Sequence, residues 1–180
     1  MPDLREVTEF IRDFIWYIVA IVILIFVFTF VIAIQNVSGN SMDPTVKEGQ
    51  LVIVSKISYR ISSVKRNDIV ALKNNGKSYI KRVIGLPGEK IEYMNGLLLV
   101  NDTPFKENYL NENVVTTNFL FSDICDIEKC PDGVIPEGKY LVMGDNRPES
   151  LDSRTPSFGL VDKSDIKGKV IFRLWPFGGI

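Results

Sequence analysis

Between Phe14 and Ile34 the chain carries 21 consecutive residues without a charge, FIWYIVAIVILIFVFTFVIAI. As a helix rising about 1.5 Å per residue, this run reaches roughly 31 Å, close to the thickness of a bilayer's hydrocarbon core. Its mean hydropathy is roughly +3, and the rest of the chain falls to about -0.3, an ordinary soluble value. The core helix of a soluble domain shows a polar face; here only Tyr17 and Thr29 interrupt the apolar surface. A cleaved secretory segment has an apolar region of about 7 to 15 residues and ends in small residues. This one is longer and ends Ile34-Gln35-Asn36-Val37. The run predicts a retained transmembrane helix over 14–34, a short tail over 1–13 and an outer part over 35–180.

The tail carries Arg5, Arg12 and the amino terminus, whereas the 15 residues after the span carry only Lys47. Basic residues favour the cytoplasmic side, so the tail is expected inside and residues 35–180 outside. Asp3, Glu6, Glu9 and Asp13 dilute that bias. In an oxidising outer space Cys125 and Cys130 either pair across a short loop or stand as free thiols; the spacing leaves both open.

Lys plus Arg number 21 and Asp plus Glu 22 over 180 residues, a net charge of -1. That balance offers no footprint for nucleic acid. Histidine is absent altogether. Its absence excludes a Ser-His-Asp triad and the common His-ligated zinc sites. No metal or cofactor is implied.

After the span, short β-rich runs recur between turn residues: Gln50–Val54, Asp68–Leu72, Ser78–Ile84, Ile91–Met94, Leu97–Val100, Tyr140–Met143 and Lys169–Leu174. Asn95-Gly96 between two of them is a strong hairpin signal. Runs at this spacing predict a mostly β, antiparallel domain rather than βαβ units. Over 101–139 the pattern loosens into Asn, Asp, Thr and Pro around the two cysteines, which reads as a loop-rich insertion or small subdomain.

Three polar segments stand out. They are Gly39-Asn40-Ser41-Met42-Asp43-Pro44-Thr45, Tyr79-Ile80-Lys81-Arg82-Val83-Ile84-Gly85-Leu86-Pro87-Gly88, and Gly144-Asp145-Asn146-Arg147-Pro148-Glu149-Ser150-Leu151-Asp152-Ser153-Arg154. Taken singly they read as a turn, a charged strand end and a polar loop. In this order and spacing, directly after a membrane anchor, they resemble the boxes of the bacterial type I signal peptidase (leader peptidase) family in its short, Gram-positive-like form. The resemblance implies Ser41 as nucleophile and Lys81 as general base. It implies that Ser150 positions the lysine, and that Asp152 and Arg154 brace the site as an ion pair. The backbone N–H of Ser41 is then one oxyanion donor. The place where some relatives add a serine hydroxyl holds Gly39, and Ser38 is the weaker alternative.

Chemistry supports this transfer independently of the name. Without an imidazole, a serine nucleophile needs another base, and lysine can serve. A free lysine has a pKa near 10.4, so only about one in a thousand is neutral at pH 7. Lowering it toward ~7–8 requires desolvation, which the apolar neighbours of Lys81 offer. Met42 is expected as an apolar lid over the amine. Arg82 is expected on the opposite face of the strand.

The resemblance implies a serine endopeptidase of the plasma membrane that removes signal peptides after small-x-small sites, with Tyr79 and Ile80 lining shallow substrate pockets. The partners are exported preproteins and the lipid bilayer. An extended substrate is expected to add as a strand. Trp175 and Phe177 rest on the bilayer or pack in the core. The rival reading is an inactive membrane-tethered β module that binds export components or preproteins.

Overall fold

The computed structural model describes residues 4–111, 114–126 and 128–179. Helix α1 (Leu4–Phe26) runs into a π-helical turn, Val27–Val31. From Thr8 to Val31 the mean hydropathy is 3.0 and none of the helix is buried in the protein. It is the one helix among the described residues long and apolar enough to cross a membrane.

The apolar run and the helix do not coincide. The helix begins ten residues earlier than the uncharged run, since Leu4 extends it through Arg5, Glu9, Arg12 and Asp13. It also ends before the run does. Ile32 is already extended, with φ -129° and ψ 159°, and Ile32–Asn36 forms strand β1. The cause is pairing: β1 lies antiparallel to β2 (Leu51–Ser55), with Ile32 opposite Ser55 and Asn36 opposite Leu51. A helix end leaves carbonyls without partners, and Lys56 takes up three of them. Its backbone N–H donates to Val31 O at 2.8 Å, and its Nζ donates to Phe28 O and Thr29 O at 3.0 Å each.

The part after the helix is built on two antiparallel sheets. The larger holds seven strands in the order β1-β2-β10-β3-β4-β8-β9. Beyond β1 and β2 these are β3 (Ile69–Asn74), β4 (Lys77–Gly85), β8 (Lys139–Met143), β9 (Val161–Asp162) and β10 (Ile166–Trp175). The smaller sheet stacks β5 (Ile91–Met94), β6 (Leu97–Val100) and β7 (Thr103–Phe105) in sequence order. Asn95 and Gly96 join β5 to β6 with positive φ at both, 52° and 78°, as a tight hairpin turn requires. The smaller sheet straddles residue 101. The part set apart from the large sheet therefore starts at Ile91 rather than at the edge of the loose segment.

Strand β3 shows why the large sheet is buried on both faces. Ile69 and Ala71 join a cluster with Val37, Met42, Val52 and Ile80; Val70 and Leu72 face another with Val83, Tyr140 and Phe158. Alternate residues of a strand point to opposite faces, so an unbroken apolar run serves two cores. A third cluster, around Ile84, Tyr93, Leu98 and Met143, joins the small sheet to the large one. Cys125 and Cys130 form a disulfide, Cα atoms 6.0 Å apart, packed on that cluster. Trp175 and Phe177 are 69% and 79% exposed, which rules out core packing for both.

Candidate active site

Strand β8 runs antiparallel to β4 and ends at Met143, opposite Arg82. Gly144 therefore emerges beside Lys81, the preceding residue of β4, and opens a loop that returns Ser150 to the same place. Lys81 is 1% exposed, and its Nζ donates to Ser150 Oγ at 2.9 Å. The Ser150 hydroxyl is also near enough to the Asp152 carboxylate to help lower its pKa. Arg154 grips that carboxylate with two bonds of 2.8 Å, and Gly144 N–H donates to it at 3.0 Å. Burial works to raise the Asp152 pKa, but the Arg154 and backbone hydrogen bonds outweigh it and leave the carboxyl below its usual value. Asp152 is thus an anion at neutral pH.

Burial strips water from the Lys81 amine and lowers its pKa to about 8. The negative charge of Asp152 opposes this fall, the positive charge of Arg154 assists it, and Asp145 opposes it. Pairing Asp152 with Arg154 leaves less negative charge to hold the proton on the lysine.

Ser41 reaches the same spot from the other side. It opens the turn after β1 and is half-buried. Its carbonyl lies so close to Gly144 that a Cβ there would collide with both Ser41 O and Ser150 Oγ. Asn146 holds the Ser41 residue twice: its backbone N–H donates to Ser41 O and its side-chain amide to Asn40 O, each at 3.1 Å. Asn40 C=O and Ser41 N–H belong to one planar peptide and point in opposite directions. Fixing the carbonyl fixes the N–H, which among the described residues has no acceptor. Among those residues the side-chain hydrogen bond of Lys81 goes to Ser150 and none joins it to Ser41. What meets at Gly144 is the Ser41 carbonyl and Ser150, the partner of Lys81.

Other residues of the three boxes fall around this centre. Met42 is 1% exposed and packs with Val37, Val46 and Ile80 beneath the turn. Gly39 is exposed with φ +83°, a conformation that favours glycine, and donates its N–H to Glu48 at 3.3 Å. A cleft of about 160 Å³ opens beside Ser41, lined among others by Asn36, Ser38, Met42, Tyr79 and Ile80. The Tyr79 ring packs edge-on against Phe158 at 5.1 Å. Residues 77–81 of β4 pair with β3 on one side, and β8 covers the other side only from Arg82 onward. That stretch is an open strand edge facing the cleft.

Two buried clusters support the site and carry no assignment from the sequence. Arg82 binds Asp145 through bonds of 2.8 and 2.6 Å, and Thr45 donates to the same carboxylate at 2.6 Å. This ties β4, the loop after β8 and the Ser41 turn together. Arg147, 2% exposed, donates to Gly144 O at 3.1 Å and to Glu107 and Thr116 at 3.1 and 3.0 Å. Asp145 and Arg147 stand in the third box, where adjacency to Gly144 was a usable signal. Nothing in the loose segment marked Glu107.

Residues 8–175 match the family model described as signal peptidase, peptidase S26. The chain is 42% identical over 181 residues to signal peptidase IB of Staphylococcus aureus (strain COL), covering 96% of this chain and 92% of that protein. It is 40% identical over 174 residues to signal peptidase I of Bacillus caldolyticus, covering 92% and 91%. Among solved structures, a signal peptidase I from Enterococcus faecalis V583 matches with TM-score 0.52 and 35% identity, over 61% of this chain and 97% of that one. With the boxes assembled around one buried lysine and the match running over nearly the whole length, this chain belongs to the signal peptidase family, peptidase S26.

Proposed function

We propose that this protein is a membrane-anchored serine endopeptidase that removes N-terminal signal peptides from exported preproteins by a Ser41–Lys81 dyad. The observation that carries the reading is Lys81: a fully buried amine with a pKa near 8, fixed by Ser150 beside the turn that presents Ser41. Burying an ammonium is costly, and an amine whose pKa is lowered by burial inside a cleft is the mark of a group kept for its neutral form.

In this mechanism neutral Lys81 takes the Ser41 proton as Oγ attacks the scissile carbonyl. The Ser41 N–H, aimed by Asn146, stabilises the oxyanion. Lys81 then delivers the proton to the leaving amine, and water, activated by the same amine, hydrolyses the acyl-enzyme. Ser150 orients the base, the Asp152–Arg154 pair braces Ser150, and Met42 keeps the floor apolar. The substrate adds as a strand to the open edge of β4 at residues 77–81. Its small side chains enter the cleft beside Tyr79 and Ile80, and 160 Å³ leaves little room for larger ones.

The cellular placement belongs to the same proposal: the tail before the uncharged run cytoplasmic, the helical run from Phe14 to Val31 as the span of a bacterial plasma membrane, and the two sheets from β1 onward outside. The exposed Trp175 and Phe177, with the exposed Ile171 of the same strand and Ile34 of β1 two strands away, offer the outer part apolar side chains to rest on the bilayer. The rival, an inactive tethered module, leaves the buried cation unexplained. The experiment is cleavage of an Ala-x-Ala preprotein in detergent: wild type is expected to cut it, and Ser41→Ala and Lys81→Ala to be folded and inactive. Cleavage by either variant removes the dyad.

A further inference from the structure

On the anchor side of the large sheet lies a second, larger groove of about 450 Å³. Its floor is apolar, with Ala33, Val54, Ala71 and Ile166, and its rim carries Lys56, Arg60, Lys163 and Lys167. No carboxylate lines it. Among the described residues the side chains of Arg60 and Lys163 pair with nothing, whereas Lys167 bonds Ser164 O and stands 3.9 Å from Asp165. Four cations converging on one concavity repel each other, and an anion relieves that repulsion.

Lys56 fixes where the groove stands. Its Nζ lies 3.0 Å from Phe28 O and Thr29 O, carbonyls of the last turns of the apolar helix. An ammonium at that level belongs at the edge of the hydrocarbon, where lipid phosphates lie. We infer that this groove binds the phosphate of an anionic membrane phospholipid, with Arg60, Lys163 and Lys167 as its ligands and the apolar floor against the glycerol end. The inference rests on the membrane-anchored reading but not on the dyad.

Gln35 lines both this groove and the cleft beside Ser41. That continuity raises a rival occupant, an acidic stretch of preprotein. The lipid is favoured because Lys56 sets the groove at the end of the span.

The test uses the full chain in a neutral detergent, with short-chain phosphatidylglycerol, short-chain phosphatidylcholine and inorganic phosphate as separate probes. The wild type is expected to gain several degrees of thermal stability with phosphatidylglycerol alone. Arg60→Gln/Lys163→Gln/Lys167→Gln should weaken the apparent affinity about tenfold or more, while neutral preproteins are cut at the wild-type rate. Equal responses to both lipids, or an unchanged response in the variant, overturn the proposal. Stabilisation by inorganic phosphate alone overturns the lipid as source. A variant that keeps its lipid response but slows only on preproteins with an acidic mature end overturns it in favour of the peptide. A wild type that cuts nothing yet responds to phosphatidylglycerol counts against the dyad and leaves the groove standing.

Discussion

Gly144 separates Ser150 from Ser41 by the width of a missing methyl group: a Cβ on it would strike the hydroxyl of one and the carbonyl of the other. The collision with Ser41 is with backbone, which cannot rotate away. Gly144→Ala is therefore expected to fold but to lose roughly 100-fold or more in kcat, the scale of an ångström-sized misplacement. Preprotein cleavage beside a thermal melt reads both; wild-type turnover would mean that the three segments are not in fact packed on this atom.

Lys81 links activity to stability. Its pKa is about 8 in the folded chain against an ordinary 10.5, so kcat/KM should rise through an apparent pKa near 8. Below that pH the cation is buried at full cost. Between pH 8 and about 10.5 the folded state has released the proton while the unfolded state still holds it, so this cost is relieved as pH rises. Lys81→Met should abolish cleavage, stabilise the fold by about 1–3 kcal/mol at pH 7 and flatten the alkaline rise in stability. Urea titrations at pH 7 and 9 give both numbers.

Asn146 holds the peptide whose N–H is the proposed oxyanion donor. Asn146→Ala is expected to lower kcat roughly tenfold, within the loss caused by removing a donor outright, with KM and the apparent pKa near 8 unchanged. A peptide aldehyde, which forms a tetrahedral adduct on the serine, should bind more weakly by the same factor. A rise in KM instead would make Asn146 part of the substrate cleft.

The box residues were legible because each box is local in the chain. Ser41, Lys81, Ser150, Asp152 and Arg154 need only their immediate neighbours to be recognised, and Asn95-Gly96 announces its own turn. Strand β1 was not legible. Ile32-Ala33-Ile34 is as apolar as the helix before it, and only pairing with Val54 and its neighbours tells strand from helix. Strand β7 was hidden by Pro104, which cannot donate to a ladder and is tolerated there because β7 is an edge. Glu107 was hidden differently: its partner Arg147 lies forty residues away, and no spacing encodes that contact.

That contact makes its own prediction. Arg147 is buried, and Glu107 supplies its counter-charge. Glu107→Ala leaves the guanidinium unpaired, with a cost of about 3–5 kcal/mol. Because Arg147 also holds Gly144 O, cleavage should fall at temperatures where the fold persists. A chemical-denaturation midpoint and an activity assay on the same sample test this; a change in stability without any change in turnover would uncouple Glu107 from the centre.

Ile32 ends the apolar helix and begins the edge strand, with no intervening loop, and Lys56 clamps the junction through backbone and side chain. Such a joint has no hinge. From the last helical carbonyl to Ser41 the chain is a few rungs of a fixed ladder and one tight turn, so Ser41 stands at a set distance from the end of the apolar helix. In the proposed placement that frame is a gauge as well as a blade: its length sets how far a preprotein emerges before it is cut.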